Sequence, residues 1–433
     1  MIKAALATLG CKVNQCESAC LEEQLHAAGF EIAPFSRGAD LYCINTCAVT
    51  TRAAMESRQL IRRALRWNPN ARVIVTGCYA QIAPAEIAAI PGVSLILGTV
   101  EKAALRDYLA ELEDPSTPAI HVGDPGKTRI AQSLLLSTFA QRTRAFLKIQ
   151  DGCDAFCSYC IVPHARGRSR SIPGELVLGQ VERFLANGFR EIVLTGIHLG
   201  QWGQDLQPPR HLTSLLDLIL KHSPPPRLRL SSLEPGEITG DLLELMASEP
   251  RLCPHLHVPL QSGDPAILKE MNRGYQPELY ADLVAEAITR VPDLAVGADV
   301  LVGFPGETDA CFLNTYRLIE SLPLAYLHVF PFSPRPGTPA AAMKARVAPD
   351  IIRPRTTILR ELDRAKRTGF MARFVGKVRT VLLEARTAAD GSRLGFSDNY
   401  IPVVVKTGNL RENQLILARF DEIRGTRIVA TPI

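Results

Sequence analysis

No run of this sequence stays apolar for the roughly 18 residues that a membrane-crossing helix requires, so a helical membrane protein is excluded. The opening residues, Met1 to Gly10, carry one charge and a short apolar run that leads into Cys11 instead of a small-residue cleavage site. They read as a strand and not as a signal peptide. A nucleotide-binding P-loop is missing as well: Gly126-Lys127-Thr128 resembles the end of one, but the glycine required five positions earlier is replaced by His121. That excludes a nucleoside triphosphatase of this type. With 433 residues, 46% of them apolar and 21% charged, the chain has ample material for buried cores, and its length suggests about three domains. Eleven cysteines in such a chain point to metal or redox chemistry in the reducing cytoplasm and not to a disulfide scaffold.

Three of those cysteines fall in one stretch, Gly152-Cys153-Asp154-Ala155-Phe156-Cys157-Ser158-Tyr159-Cys160, at the end of a predicted strand Ala145 to Gln150. Thiolates are the usual ligands of iron–sulfur clusters, which normally take four. Three thiolates at this spacing hold one face of a [4Fe–4S] cube and leave the fourth iron open, and an open metal position is the mark of a reactive site. The alternative readings are a zinc knuckle or three buried thiols.

From Ile2 to about Val122 short apolar strands alternate with helices: Ala4 to Leu9, a helix Gln15 to Ala28, Leu41 to Asn45, a helix Thr51 to Trp67, Arg72 to Thr76, Ser94 to Leu97 and a helix reaching Leu112. Such alternation predicts an open, mostly parallel sheet. Three of its strands run into Cys11, Cys47 and Cys78. Ligands of open α/β sheets collect beyond the carboxyl ends of strands, so these cysteines are expected at one sheet edge, with buried structural cysteine as the alternative. Cys16, Cys20, Cys43, Cys253 and Cys311 read as packing residues. A polar, proline-rich stretch around Glu113 to Thr143 reads as a linker.

A second, longer series follows: strands Ala145 to Gln150, Glu191 to Gly196, Arg227 to Ser232, His255 to Leu260, Leu294 to Val302 and Ala325 to Phe332, with helices such as Gly174 to Ala186 and Asp309 to Glu320 between them. Six strands are too few for a closed eight-stranded barrel, so the expectation is an open (βα)6 partial TIM barrel with working residues at strand C-termini. From Ala372 the pattern changes to period-two strands, including Val378 to Glu384 and Tyr400 to Val405, broken at Asp390-Gly391 and Thr407-Gly408. A small antiparallel barrel is predicted there. The expected domains are thus an N-terminal α/β domain over residues 1–125, a linker over 126–143, a partial barrel over 144–371 and a small barrel over 372–433.

Net charge is a mild +5, but its distribution is uneven. Between Ile351 and Arg379 nine basic residues face two acids, Glu361 and Asp363. The helix Thr51 to Trp67 carries Arg52, Arg58, Arg62, Arg63 and Arg66 against Glu56, and the last 62 residues carry ten basic residues against six acidic ones. One such run is commonly a solvated face; together they favour a polyanion partner. Few aromatic residues in the C-terminal module favour phosphate contact over base stacking.

Taken together, these motifs resemble the radical S-adenosylmethionine methylthiotransferases along essentially the whole chain. Thr8-Leu9-Gly10-Cys11-Lys12-Val13-Asn14-Gln15, Asn45-Thr46-Cys47-Ala48-Val49-Thr50 and Thr76-Gly77-Cys78 are similar to the family's three N-terminal cysteine motifs. Gly152 to Cys160 with Ile161-Val162-Pro163-His164-Ala165-Arg166-Gly167 resembles its radical motif, and Val302-Gly303-Phe304-Pro305-Gly306-Glu307-Thr308 its strand-five loop. The C-terminal barrel resembles a TRAM domain. Within the family, the motifs around Cys11 and Cys160 look most like the branch acting on threonylcarbamoyladenosine at position 37 of tRNA. The isopentenyladenosine branch and the branch acting on a ribosomal-protein aspartate are the alternatives; the latter usually has proline where this chain has Lys12.

The resemblance implies two [4Fe–4S] clusters and two molecules of S-adenosylmethionine per turnover. Cys153, Cys157 and Cys160 would hold the cluster that cleaves the cofactor to a 5′-deoxyadenosyl radical, which removes hydrogen from C2 of the adenine. Cys11, Cys47 and Cys78 would hold an auxiliary cluster that carries the sulfur, methylated by the second cofactor molecule. By position, Tyr159, Thr195, Gly196, Glu234, Gln261 and Phe330 are the candidate cofactor contacts, each alternatively a satisfied polar or core residue. His164, His255, His257 and His328 read as hydrogen-bonded structural residues. The implied partners are the tRNA anticodon stem-loop, a low-potential electron donor and a sulfur donor, for a monomer without a membrane. A non-catalytic iron–sulfur protein that binds RNA accounts for the cysteines and the basic barrel, but not for polar residues at successive ends of a (βα)6 unit.

Overall fold

The strand–helix alternation at the N-terminus builds a parallel six-stranded sheet in the computed structural model, which describes residues 2–113, 117–129, 131, 136, 143–406 and 410–433. Its strands run in the spatial order Glu31–Ala33, Lys3–Thr8, Leu41–Thr46, Arg72–Gly77, Leu95–Leu97, Ala119–His121. All five pairings are parallel. Central strands of a parallel sheet are covered on both faces, and the side chains divide accordingly. Ala4, Cys43 and Ile74 pack with Leu21, Leu25 and Leu105 on one face. Ala5, Ile44, Val73 and Val75 pack with Ile61 and Ala64 of helix Thr51–Trp67 on the other. Cys43 is therefore a core residue, as expected. That helix starts where Thr50 accepts a hydrogen bond from the amide of Ala53 at 3.0 Å, an N-cap that satisfies one of its orphan donors.

Two strands of this sheet were not anticipated. Glu31–Ala33 and Ala119–His121 are three residues each, too short to show a period, and the second lies within the proline-rich stretch that reads as linker. The helix expected to reach Leu112 is instead a short α-helical turn, Leu105–Tyr108, between 3-10 turns. Most of the expected linker 126–143, and the Thr407-Gly408 turn, lie outside the described residues. Gly126 sits in a 3-10 turn, Pro125–Lys127.

The central series forms two three-stranded sheets. One has the order Arg227–Leu230, Glu191–Thr195, Arg144–Lys148, and the other His255–His257, Ala295–Val302, Tyr326–Pro331. A parallel bridge between Ser232 and His257 joins them, giving the open six-stranded partial barrel that the pattern predicts. Its strands are shorter than expected at several C-terminal ends. The first stops at Lys148, and a separate two-residue strand, Gln150–Asp151, pairs antiparallel with Arg170–Ser171. The last five strands, Val378–Thr387, Arg393–Ser397, Pro402–Val405, Leu415–Arg424 and Arg427–Pro432, close into a small barrel around Val381, Leu383, Val403, Phe420 and Ile428.

Compactness divides the chain into two units that interleave in sequence. The first holds the described residues of Met1–Thr138 with Lys148–Leu176 and Ser333–Ala341; the second holds those of Phe139–Leu147, Val177–Phe332 and Ala342–Ile433. In the second unit Glu191 is fully buried between Arg227 and Arg229. These arginines also donate to backbone carbonyls of Thr380, Phe396, Ser397 and Asp398 in the small barrel. Burial disfavours the charge on Glu191, but Arg229 outweighs it and brings the carboxyl down to about 2.

Candidate iron–sulfur site

All six candidate ligand cysteines belong to the first unit. The loop Gly152 to Ser169 springs from the Gln150–Asp151 clasp, and its backbone is fixed from within: the amide of Cys153 donates to the carbonyl of Gly167 at 3.0 Å, and that of Cys160 to Cys157 at 2.9 Å. Gly152 has φ +76°, and a Cβ there would stand 1.9 Å from the carbonyl oxygen of Arg168, so only glycine passes the base of the loop. Cys157 is buried, while Cys153 and Cys160 are partly exposed. Phe156, at positive φ and 46% exposed, lies edge-on to His164 and under the guanidinium of Arg168.

Cys11, Cys47 and Cys78 follow three neighbouring sheet strands and are drawn together by polar side chains between the loops. The Asn14 amide donates to the carbonyls of Leu9 (2.7 Å) and Thr46 (3.0 Å), Asn45 donates to the carbonyl of Asn14 (2.9 Å), and Thr46 Oγ1 donates to the carbonyl of Thr76. The approach is close enough that a Cβ on Gly10 would stand 3.0 Å from Cys47 Sγ. The thiols act on one another: burial pushes Cys47 up to about 12, with Cys78 and Cys11 adding to the rise. Burial also raises Cys78, against the pull of Arg166 and Lys102. Ligation by metal must therefore displace these protons.

None of the eleven cysteines is in a disulfide. Among the described residues no group containing a cysteine brings three ligating atoms within 4.8 Å of one another. A single tetrahedral zinc, with sulfur at about 2.3 Å, draws its ligand sulfurs to roughly 3.8 Å apart. Neither triplet is drawn in to that spacing, and all-thiol sets are the usual ligands of iron–sulfur clusters.

A buried ion network underlies the two triplets. Arg166 donates to Glu17 (2.9 and 3.0 Å), Asp151 (2.9 Å) and Asn14 (2.6 Å). Lys102 pairs with Glu17, and Lys148 with Glu17 and Asp151. Burial would raise both carboxyls, but the surrounding cations outweigh it and hold them well below the usual carboxylate range. Glu17 stands on the helix that follows Cys11, and Asp151 stands two residues before Cys153.

The candidate cofactor contacts lie as follows. Tyr159 is half-buried on the cluster loop of the first unit. In the second unit Thr195 is buried at the end of its strand, with Gly196 next, and Gln261 adopts φ +62° after the fourth barrel strand. Phe330 is 44% exposed on the sixth strand. Glu234 is not free: Arg273 grips its carboxylate through both terminal nitrogens. His257 and His328 both bond to Asp299, at 2.9 and 3.2 Å, and His255 and His257 both meet the Tyr326 hydroxyl, so these histidines are hydrogen-bonded as expected. The residues the sequence reading missed are Glu17, Lys102 and Lys148, buried charges joined to one another across 85 to 131 residues of chain, and Arg335, whose only signal is its place between Pro334 and Pro336 just after the sixth barrel strand.

Residues 3–98 match an uncharacterized protein family, UPF0004, and residues 147–319 match the Radical SAM superfamily. The threonylcarbamoyladenosine tRNA methylthiotransferase MtaB of Bacillus subtilis is 40% identical over 94% of this chain and 91% of its own. The tRNA-2-methylthio-N(6)-dimethylallyladenosine synthase of Carboxydothermus hydrogenoformans is 32% identical over 93% of this chain and 92% of its own. Among solved structures, the radical S-adenosylmethionine methyltransferase TsrM from Kitasatospora setae, with tryptophan and a cofactor analogue bound, superposes with a TM-score of 0.57. It covers 79% of this chain and 75% of its own at 18% identity, a likeness of fold. With a relative 40% identical over 94% of this chain, the protein belongs to the radical S-adenosylmethionine tRNA methylthiotransferase family.

Proposed function

We propose that this chain replaces the C2 hydrogen of N6-threonylcarbamoyladenosine at position 37 of tRNA with a methylthio group, giving the 2-methylthio-N6-threonylcarbamoyl nucleoside. The observation that carries this reading is the placement of two all-cysteine triplets, one on a single loop and one after three neighbouring strands, in one compact unit. Membership of the Radical SAM superfamily brings S-adenosylmethionine and one [4Fe–4S] cluster. Cys153, Cys157 and Cys160 are the thiols to hold it, and Cys11, Cys47 and Cys78 those to hold a second. When bound, these groups supply the 5′-deoxyadenosyl radical and the sulfur, neither of which protein side chains provide.

The chain's own residues prepare the site. Gly152 and the clasp set the loop that presents three thiols, Arg166 ties that loop to the helix behind Cys11, and Tyr159, Thr195, Gly196, Glu234, Gln261 and Phe330 are the side chains proposed to contact the cofactor. For tRNA, several cations of the 351–379 run are already committed: Arg355 to Glu307 and Asp309, Arg367 to Asp363, Arg379 to Asp293 and Asp398. Arg353, Arg360, Arg364, Arg373 and Lys377 remain exposed, and they are the proposed phosphate contacts of a TRAM-like module and the helix leading into it. A low-potential electron donor and a sulfur donor complete the reaction, and the compartment is the cytoplasm. Threonylcarbamoyladenosine is preferred over the dimethylallyl nucleoside because identity is higher to the relative named for the former, 40% against 32%.

Nucleoside analysis of tRNA from a strain lacking this gene tests the reading. The 2-methylthio-threonylcarbamoyl nucleoside is expected to vanish and its unthiolated precursor to accumulate. An unchanged profile, or loss of the dimethylallyl product instead, rejects the assignment.

A further inference from the structure

Arg335 is a buried guanidinium without a partner. It is 7% exposed, its Nε is sealed from solvent with no hydrogen bond, and among the described residues no side-chain hydrogen bond, ion pair or ring contact is made by it. Arginine carries five N–H donors, and a buried charge left uncompensated is among the costliest features a fold retains. Its two neighbours Pro334 and Pro336 are exposed while it turns inward. Thr338 holds that turn, donating from its amide (3.1 Å) and hydroxyl (2.8 Å) to the Arg335 carbonyl.

The segment that carries Arg335 is anchored at both triplets. Ser333 Oγ accepts from the amide of Thr51 at 2.9 Å, four residues past Cys47. The amide of Ala340 donates to the carbonyl of Ser158 at 2.8 Å, between Cys157 and Cys160. Burial weighs against the charge on Arg335, and Cys47 is the foremost group that favours it, ahead of Glu86 and Tyr79 and against Arg58. Glu86 is already bonded to Arg58 and Tyr79. Arg166 and Lys102, the other cations acting on this triplet, are bound to Glu17. Arg335 is thus a buried cation with an unspent Nε donor, two residues from the anchor that ties its segment to the strand end carrying Cys47.

We propose that Arg335 is the anion-binding residue of the auxiliary centre, where its guanidinium holds the sulfur anion, hydrosulfide or methanethiolate, that is to be transferred to the nucleoside. The inference rests on the two-cluster reading above. Three thiolates leave one ligand position for an external anion, and a buried anion there needs a compensating charge and N–H donors. Arg335 supplies both from the side of Cys47.

The test uses reconstituted holoenzyme, wild type against Arg335→Gln and Arg335→Lys. Iron analysis comes first: about eight irons per chain upholds the two-cluster reading, and about four in the wild type overturns that reading whatever Arg335 does. The reduced clusters are then titrated with sodium sulfide and with sodium methanethiolate, following the electron paramagnetic resonance signal of the auxiliary centre. Loss of a charge-assisted hydrogen bond is expected to weaken anion binding about 10- to 100-fold in Arg335→Gln, with Arg335→Lys between the two. An unmoved titration in Arg335→Gln overturns the proposal, and so does an unmoved titration combined with a raised KM for S-adenosylmethionine or for tRNA, which assigns the guanidinium to those ligands. Should Arg335→Gln lose iron, Arg335→Lys decides: intact iron with an unmoved titration overturns the proposal equally.

Discussion

Cys153, Cys157 and Cys160 lie within eight residues of one loop, whereas Cys11, Cys47 and Cys78 come from three strand ends spread over 68 residues. The contiguous set needs only local structure: a two-residue clasp, one obligatory glycine and internal backbone bonds. The dispersed set exists only once a parallel sheet has brought its strand ends together and Asn14, Asn45 and Thr46 have tied the loops. A ligand set of the first kind tolerates loosening elsewhere in the domain, and one of the second kind does not.

The sharpest way to break that comparison is to remove one thiol from each set. Cys157→Ala is expected to leave about four of eight irons and to abolish cofactor cleavage, a loss on the order of a thousandfold or more because no other group supplies the radical. Cys47→Ala is expected to lose the other four irons and all methylthiolation while still forming 5′-deoxyadenosine. Iron analysis and chromatography of the cofactor products read both. If Cys47→Ala retains eight irons, or if both variants lose cleavage equally, the two triplets are not separate centres.

Legibility in the sequence follows the same divide. The helix Thr51–Trp67 can be read to the residue, because Thr50 caps it and Ile61 and Ala64 recur on one face. The radical loop is legible from spacing alone, and the partial barrel from six strands at regular intervals. The convergence of Cys11, Cys47 and Cys78 rests on strand order, which periodicity does not encode. Glu31–Ala33 and Ala119–His121 gain strand character only from the neighbours they pair with. Arg335 is least legible of all. Its burial depends on Ser333 reaching Thr51, 282 residues away in the chain.

A second expectation concerns what joins the two sets. Arg166 reaches Glu17 behind Cys11 and Asp151 before Cys153, so Arg166→Met leaves two buried carboxylates short of a cation. Breaking a buried pair from one side costs about 3–5 kcal/mol, and urea unfolding of the metal-free protein is expected to show it as a lowered midpoint at unchanged slope. The same variant should lower iron content at the Cys11 set more than at the Cys153 set, since the dispersed triplet depends on the helix that Arg166 pins. Equal loss at both would remove the asymmetry argued above.

The smallest expected effect comes from the second unit, which has a buried carboxylate–arginine group of its own but no cysteine triplet. Glu191 is brought down to about 2 by Arg229 with Arg144 and Arg227, from an ordinary value near 4.5. A depressed carboxyl contributes stability that is fully present above the unfolded value and is lost as pH falls through the folded one. The window is therefore pH 4.5 down to about 2, and the contribution at neutral pH is roughly 3 kcal/mol. Glu17 and Asp151 titrate below the usual carboxylate range as well, so the wild-type curve alone mixes the two units. The difference between wild type and Glu191→Gln isolates the second: the variant should be less stable at pH 7 and lose less on acidification, while Arg166→Met flattens the part that belongs to the first unit. Identical acid slopes in wild type and Glu191→Gln would mean that Glu191 is already protonated in the folded protein. Arg227 and Arg229 would then be held by the carbonyls of Thr380, Phe396, Ser397 and Asp398 and the Thr380 hydroxyl.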